Sequence, residues 1–333
     1  MHFDVEYHLV RGHDMAAIDR AAERAGHRIT VAQPAGFDPA ADLTAWFQKA
    51  QIPPIRVRRQ AWYETGFFSH AAHLDRVGLW SRSSFHSQAA MDQVRAYSAP
   101  ARAQAVLAGA AVEPSKYTQP STERPWHGVV LGTQVSRDHS VTTIPGADGH
   151  DAYWRFARGA CAYYRKNLFI KLHPKLQGTD RINFTALAGE YGCTWGDVGM
   201  KVLDGCKFLL VYTSGLAVDA WLRGVPVAQF APGYFSDTGA VTFTMGEYPD
   251  ELDRADTAEM AQKMCDFLIW KYCYYQDMPP EAFVAMLEAF ACAPEGEAFP
   301  LPEELSYAAQ APLAQVPQRK DSKHAVPVAH SHR

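Results

Sequence analysis

The chain has 333 residues, 47% of them hydrophobic and 20% charged, with a formal net charge of -4. That composition describes a globular protein long enough to bury a real core, in one large or two ordinary domains. It argues against a generic nucleic-acid binder, which is usually basic, while leaving a local basic groove open. The six cysteines, Cys161, Cys193, Cys206, Cys265, Cys273 and Cys292, contain no CxxC pair, so they read as reduced thiols rather than a disulfide framework or zinc site. No stretch approaches the roughly 18 apolar residues of a membrane span, and the charged opening "MHFDVEYHLVRGHDM" lacks a signal-peptide pattern. The expected location is the cytoplasm, with a peripheral station at the inner membrane also open.

"FDVEYHLV" reads as a first strand, residues 14–25 as a helix ended by Gly26, and "HRITVAQ" as a second strand. Strand, helix and strand within about thirty residues form a βαβ opening, which predicts a parallel sheet with helices on its faces. A helix at "DLTAWFQKA" and a short strand at "IPPIRVRR" follow. Residues 62–85, rich in Gly, Ser, His and aromatics, read as a functional loop region. "SQAAMDQVRAYSAPARAQAVLAGA" reads as helix broken near Pro100. A boundary is expected in "EPSKYTQPSTERPW", where Pro, Ser and Thr accumulate and periodicity is lost.

Beyond it the alternation restarts: strand "HGVVLGTQ", helix "AYWRFARGACAYYRKN", strand "LFIKLHP", helix "INFTALAGEYG" and strand "KFLLVYT". "TAEMAQKMCDFLIWKYCYYQ" and "PPEAFVAMLEAFAC" read as C-terminal helices. From about Ala308 the chain is Ala/Pro/Gln-rich, then basic, and reads as a disordered tail. The expected organisation is therefore residues 1–118, residues 119–306 and a tail at 307–333. It predicts an α/β protein with two Rossmann-like domains facing a cleft, where ligands bind.

Four stretches carry candidate chemistry. "ETGFFSHAAHLDRVGLWSRSSF" holds Glu64, His70, His73, Asp75 and Arg82 in a Gly/Ser-rich segment that could equally be an ordinary surface loop. In "VVLGTQVSRDHSV" a buried strand ends at Gly132, and Gln134 and Asp138 follow at its carboxyl end. An Asp there is usually a turn or cap residue. "LFIKLHPKL" places Lys171 and His173 at another strand end, with Pro174 disfavouring helix before it. "VYTSGLAVDAWLRGVPVAQFAPG" turns from strand to helix at Ser214 and Gly215, with Asp219 further along. Small residues belong at any such turn, but amides and a hydroxyl at a helix start also suit an anion.

In this order and spacing, the Glu-x-Gly, Gln-x-x-x-Asp, Lys-x-His-Pro and Thr-Ser…Asp-Ala…Gly-x-Pro-Val motifs resemble those of the capsular polysaccharide synthesis family, which includes the bacterial Kdo transferases. The resemblance covers about half of the chain, residues 61–239. It implies a GT-B glycosyltransferase whose second domain holds a nucleotide sugar. Further implied are a donor site of Gln134, Lys171, His173, Ser214, Gly215 and Asp219, with His173 and Ser214 at the phosphate and Asp219 at the ribose. Glu64 and Asp138 match the family's two acids, as acid/base and nucleophile of a retaining transfer. Asp75 and Arg82 are expected as sugar or acceptor contacts. No cofactor or metal is expected, and no Asp-x-Asp motif is present. The chain departs from the usual pattern at Asp219, where Glu is common, at Leu172, where Pro is common, and at Ala217, where Gly is common. The donor could be a CMP-linked keto-acid sugar or a UDP- or GDP-sugar, and the acceptor a glycan. The alternatives are transfer to hydroxymethylated pyrimidines in DNA, with Arg56, Arg58 and Arg59 tracking phosphates, or a nucleotide-binding protein or epimerase of the same fold.

Overall fold

The computed structural model describes residues 2–6, 14–32, 55–56, 60–68, 70–98, 125–142, 149–244, 246–294 and 297–311. The predicted βαβ opening is present as β1 (His2–Glu6), α1 (Met15–Arg24) and β2 (Arg28–Ala32), with the two strands parallel. Asp14 starts the helix by accepting the Ala17 N–H at 3.2 Å, and Ile18, Ala21 and Ala22 form its buried face.

Residues 62–85 depart from the expected loop. β3 (Ile55–Arg56), β4 (Gln60–Thr65) and β5 (Ala71–Asp75) pair antiparallel in succession. Every residue of β5 is buried. A strand covered on both faces shows no apolar–polar alternation, so the usual signal was absent. The first sheet is thus mixed rather than parallel, in the order β12 (Cys273–Tyr275), β5, β4, β3, β1, β2. The helix expected at "DLTAWFQKA" and Arg58 and Arg59 lie outside the described residues, as do 99–124 with most of the expected boundary.

The second sheet is wholly parallel, in the order β11-β10-β9-β6-β7-β8. Its strands are β6 (Val129–Gly132), β7 (Leu168–Lys171), β8 (Thr194–Gly196), β9 (Phe208–Val211), β10 (Val227–Gln229) and β11 (Thr242–Phe243). After α2 (Gln88–Ala96), which precedes this sheet, α3 (His139–Thr142), α4 (Gly149–Tyr164), α5 (Gly178–Tyr191) and α6 (Leu216–Trp221) run between its strands. Strand order builds outward from β6 in one direction and from β9 in the other. Right-handed crossovers then send the helices of the two halves to opposite faces. The core follows that division. Val129, Leu131, Leu168 and Ile170 pack with Tyr153 and Phe156 of α4, whereas Val130, Leu209 and Val211 pack with Ala217 and Val218 of α6.

The C-terminal segment returns to the first sheet. α7 (Arg254–Phe267) passes into a π turn, Leu268–Tyr272, and then β12 (Cys273–Tyr275), which pairs antiparallel with β5. Within "KYCYYQ", expected as helix, Cys273–Tyr275 is therefore a strand: aromatic side chains suit a pleated surface, and an edge was available to pair. α8 (Pro280–Cys292) packs on the first unit, where Phe283, Met286 and Leu287 share a core cluster with Ile18 and Leu74. α9 (Tyr307–Gln310) falls where the disordered tail was expected to begin. Ala308 is buried and Tyr307 stacks on Phe68 with centroids 5.3 Å apart, so this turn belongs to the body. The rest of the expected tail, 312–333, lies outside the described residues. One cluster joins the units, because Phe68 and Phe85 of the first share it with Trp221 and Phe235 of the second.

Asp75, at the end of β5, is fully buried and holds this junction. Its carboxylate accepts from the backbone N–H groups of Val77 (2.8 Å), Gly78 (3.1 Å) and Ser84 (2.9 Å), and from the hydroxyls of Ser84 (2.8 Å) and Tyr272 (3.0 Å). Burial raises its carboxyl above the ordinary range, while hydrogen bonds from Ser84, Val77 and Gly78 pull it down. With the folded-state pKa raised, the folded chain holds this proton more tightly than the unfolded one. The contribution of this group to stability is therefore most favourable below pH 3.8 and fades as pH rises through the folded value. Asp75→Ala should cost at least about 3 kcal/mol, because several buried donors lose their acceptor at once. Urea unfolding reads this directly, and a loss below about 1 kcal/mol would show that the turn holds without the carboxylate.

Candidate functional site

Where β6 and β9 lie side by side, their carboxyl ends feed loops that leave toward opposite faces, and a crevice opens between them. A cavity of about 510 Å³ sits there, walled on its other side by the β4–β5 turn of the first unit. It gathers Glu64, Gln134, Asp138, Lys171, His173, Ser214, Gly215 and Asp219 from among the residues expected from sequence. Asp75 and Arg82 do not line it: Asp75 is committed to the turn beneath, and Arg82 is exposed at the end of a 3₁₀ turn, Trp80–Arg82.

The loops at the crevice are tied to one another through Gln134. Its Oε1 accepts the Thr213 N–H at 2.9 Å, and its Nε2 donates to Thr213 Oγ1 (3.0 Å) and Ser140 Oγ (3.2 Å). Gln134 was expected as a donor contact, but this amide joins the β6 and β9 loops and is nearly fully buried. Asp138 caps α3: its Oδ1 accepts from Ser140 N–H and Ser140 Oγ, each at 3.0 Å. Its carboxylate is half-buried and lines the cavity. The cap role that a loop aspartate usually plays is therefore present, and one oxygen is fixed by it.

Lys171 ends β7 with its ammonium donating to the Val198 carbonyl at 2.8 Å. His173 is held from both sides. Its N–H donates to Thr133 Oγ1 at 2.8 Å, and its Nδ1 accepts the Lys175 N–H at 3.1 Å. A backbone amide can only donate, so Nδ1 carries no proton in this arrangement and Nε2 does. The ring thereby offers an N–H donor on its far nitrogen. Ser214 Oγ accepts the Leu216 N–H at 3.2 Å, a local cap of the six-residue α6. Asp219 is buried in that helix and borders the cavity.

Gly215 also has a packing reason to be glycine. A Cβ there would lie 3.0 Å from Cδ1 of Phe67, which reaches over from the first unit. Phe67 is central to a ring cluster that the sequence did not single out. It stacks on His73 (5.3 Å, 4°) and meets Tyr234 edge-on (5.4 Å, 86°). His73 stacks in turn on Tyr272 at 4.7 Å, and its Nε2 lies 3.1 Å from the Tyr234 hydroxyl. That hydroxyl donates to Glu64 Oε2 over 3.4 Å. Burial first, then the Glu64 carboxylate, raises the Tyr234 phenol well above its ordinary value, so it stays protonated. His73 lay in a noted stretch, yet its partner Tyr234 is 161 residues away and no local spacing reveals it. His70 and Trp80, two cavity-lining residues, hold positive φ angles of 55° and 54° without being glycine. Such strained backbone concentrates where function constrains it.

Among known proteins, no family model and no curated protein matches this chain. Solved structures do. Two Thermosulfurimonas dismutans KpsC structures, described as β-Kdo 2,7 and 2,4 transferases, are similar at TM-scores of 0.49 and 0.47 with 14% and 13% identity. The first covers 83% of this chain and 92% of its own, the second 82% and 91%. AviGT4, a glycosyltransferase involved in avilamycin A biosynthesis, is similar at a TM-score of 0.31 and 13% identity, over 84% of this chain and 89% of its own. Likenesses this distant leave the chemistry to be argued from the cavity itself.

If Phe67 is the reason that position 215 has no side chain, Gly215→Ala should destabilise the fold by about 1–2 kcal/mol through overpacking. Trimming Phe67 to Ala should remove most of that cost. A double-mutant cycle is expected to show coupling of at least about 0.5 kcal/mol, and strict additivity would show that the two residues do not press on each other.

Proposed function

We propose that this chain is a glycosyltransferase that moves a sugar from a nucleotide-sugar donor, seated at the β6–β9 crevice, to a glycan acceptor. The observation that carries this reading is the meeting of two carboxylates from opposite walls, Glu64 and Asp138, in one cavity with the His173 donor and Lys171. A cavity of about 510 Å³ suits a ligand of that size. A nucleotide sugar asks for donors at its phosphate, an acceptor for its ribose hydroxyls, and acid–base groups at the anomeric carbon. His173, with its Nε2–H, and the Ser214–Gly215 turn would meet the phosphate, and Asp219 the ribose. Gln134 would act by fixing both loops, and Lys171 by bringing a cation to the floor of the site.

Transfer with retention would then run in two displacements. Asp138 attacks the anomeric carbon and the nucleotide phosphate leaves with the bonding pair. The acceptor hydroxyl next attacks the same carbon, Glu64 takes its proton, and the Asp138 carboxylate is released. Ser140 holds one Asp138 oxygen, which fixes the aim of the group. The donor is a CMP-linked keto-acid sugar or a UDP- or GDP-sugar. Two carboxylates supply the chemistry, and the reaction calls for no cofactor.

Thermal stabilisation by CMP, UDP and GDP should single out one nucleotide. His173→Ala should weaken it at least tenfold, about 1.4 kcal/mol, without lowering the melting temperature of the free protein. Glu64→Gln and Asp138→Asn should keep nucleotide binding and each lose far more than tenfold in turnover. If Asp138→Asn keeps over about a tenth of wild-type turnover, the loss is under ~1.4 kcal/mol and Asp138 is a helix cap only. If none of the three nucleotides stabilises the wild-type protein, the donor assignment fails.

A further inference from the structure

Tyr234 belongs to the second unit, in the segment after β10, yet its hydroxyl lies among groups of the first. Glu64 on β4 and His73 on β5 are directly opposed in the antiparallel register, so their side chains share a face of the sheet. The Tyr234 hydroxyl meets both, at 3.4 Å from Glu64 Oε2 and 3.1 Å from His73 Nε2, and the Trp80 backbone N–H also faces it. A phenol has one proton to give and two lone pairs to fill. The Trp80 amide can only donate, and an ionised carboxylate can only accept. The arrangement that fits these donor and acceptor roles at the phenol has Trp80 N–H and His73 Nε2–H donating to the tyrosine oxygen, and the tyrosine O–H donating to Glu64.

The surroundings leave this hydroxyl little freedom. Tyr234 is buried, its ring is set edge-on against Phe67 and His73, and the turn that carries it is closed by Ser236 on Gly233. His73 is clamped between the Phe67 and Tyr272 rings, and Tyr272 is itself anchored on Asp75. Trp80, whose N–H faces the same point, holds a left-handed backbone, a conformation that costs energy for a bulky residue and needs packing to persist. We propose that Tyr234 is a positioning residue: held by His73 and Trp80, it fixes Glu64 as a hydrogen-bond acceptor and so ties the acid–base group of one unit to a loop of the other. Its catalytic meaning rests on the transfer reading above, but the hydrogen-bond pattern can be measured without it.

Nitrogen-15 NMR of histidine-labelled wild-type protein should find His73 with its proton on Nε2. Carbon-13 NMR of carboxyl-labelled glutamate, with the Glu64 signal assigned by its loss in Glu64→Gln, should show Tyr234→Phe raising the Glu64 titration midpoint by about half a pH unit or more, since a donor to the ionised form is lost. Asp75, His70, Asp138, Lys171 and His173 stay in place in that variant, so the difference reads the tyrosine oxygen alone. Melting temperature should fall modestly, because two buried donors lose their acceptor, and turnover should fall at least tenfold with donor KM within about twofold. An Nδ1–H tautomer in the wild-type protein overturns the assignment even if the variant does not fold. An unchanged Glu64 midpoint overturns it too, as does a large loss of stability with turnover intact, the mark of a purely structural tyrosine. CMP, UDP and GDP binding separates the two readings: if none binds, the transfer reading fails while the Glu64 shift still stands or falls by itself.

Discussion

The arrangement of this site descends from one constraint in the second sheet: its strand order reverses between β6 and β9. The neighbouring pairs β6–β7, β7–β8 and β9–β10 are joined by connections that carry α4, α5 and α6 on the sheet faces. At the reversal the two crossovers diverge to opposite faces, and the carboxyl ends of β6 and β9 are left facing a crevice. One side chain ties the loops there: Gln134 accepts the Thr213 backbone N–H and donates to the hydroxyls of Thr213 and Ser140. The same loops carry Asp138, Ser214 and Gly215, and the neighbouring strand end carries Lys171 and His173. The crevice and its chemistry are consequences of one topological fact.

The first unit closes that crevice. Phe67 lies on Gly215, Tyr234 reaches back to Glu64 and His73, and β12 extends the first sheet with residues that follow the second in sequence. A single apolar cluster runs through both units, so the wall that bears Glu64 is packed against the wall that bears Asp138 and His173. Aromatic contacts of this kind are each worth about 0.5–1.5 kcal/mol beyond burial, and several act together here. A carboxylate brought to a site in this way has a fixed approach to it, which proximity arguments for catalysis require.

Much of this was legible in the sequence where local rules govern. The βαβ opening at β1–α1–β2 and the β6 to β10 alternation announced themselves by apolar runs and turn residues. Eight of the expected site residues, read from strand ends and from the family resemblance, are brought by the structure to one cavity. What could not be read depends on contacts distant in sequence. β5 is buried on both faces and so lacks alternation, and β12 is a strand because β5 offers an edge. Asp75 looked like a loop acid, and only the fold brings Tyr272 from 197 residues away to its carboxylate. Gln134 and Asp138 were found by position, but their bonds to Thr213 and Ser140, which make one a clasp and the other a cap, are tertiary facts. His73 stood only as one polar residue of a noted stretch, and Tyr234 carries no motif.

The central claim is that a nucleotide sugar binds at the β6–β9 crevice, against the first unit. Hydrogen–deuterium exchange of the wild-type protein, with and without the nucleotide that stabilises it, tests this most directly. Bound nucleotide should slow exchange in 133–140, 171–175 and 213–219, with weaker protection around 64–73 and little change along α8. Protection confined to other segments, or stabilisation with no protection at these loops, would place the ligand elsewhere and contradict the account.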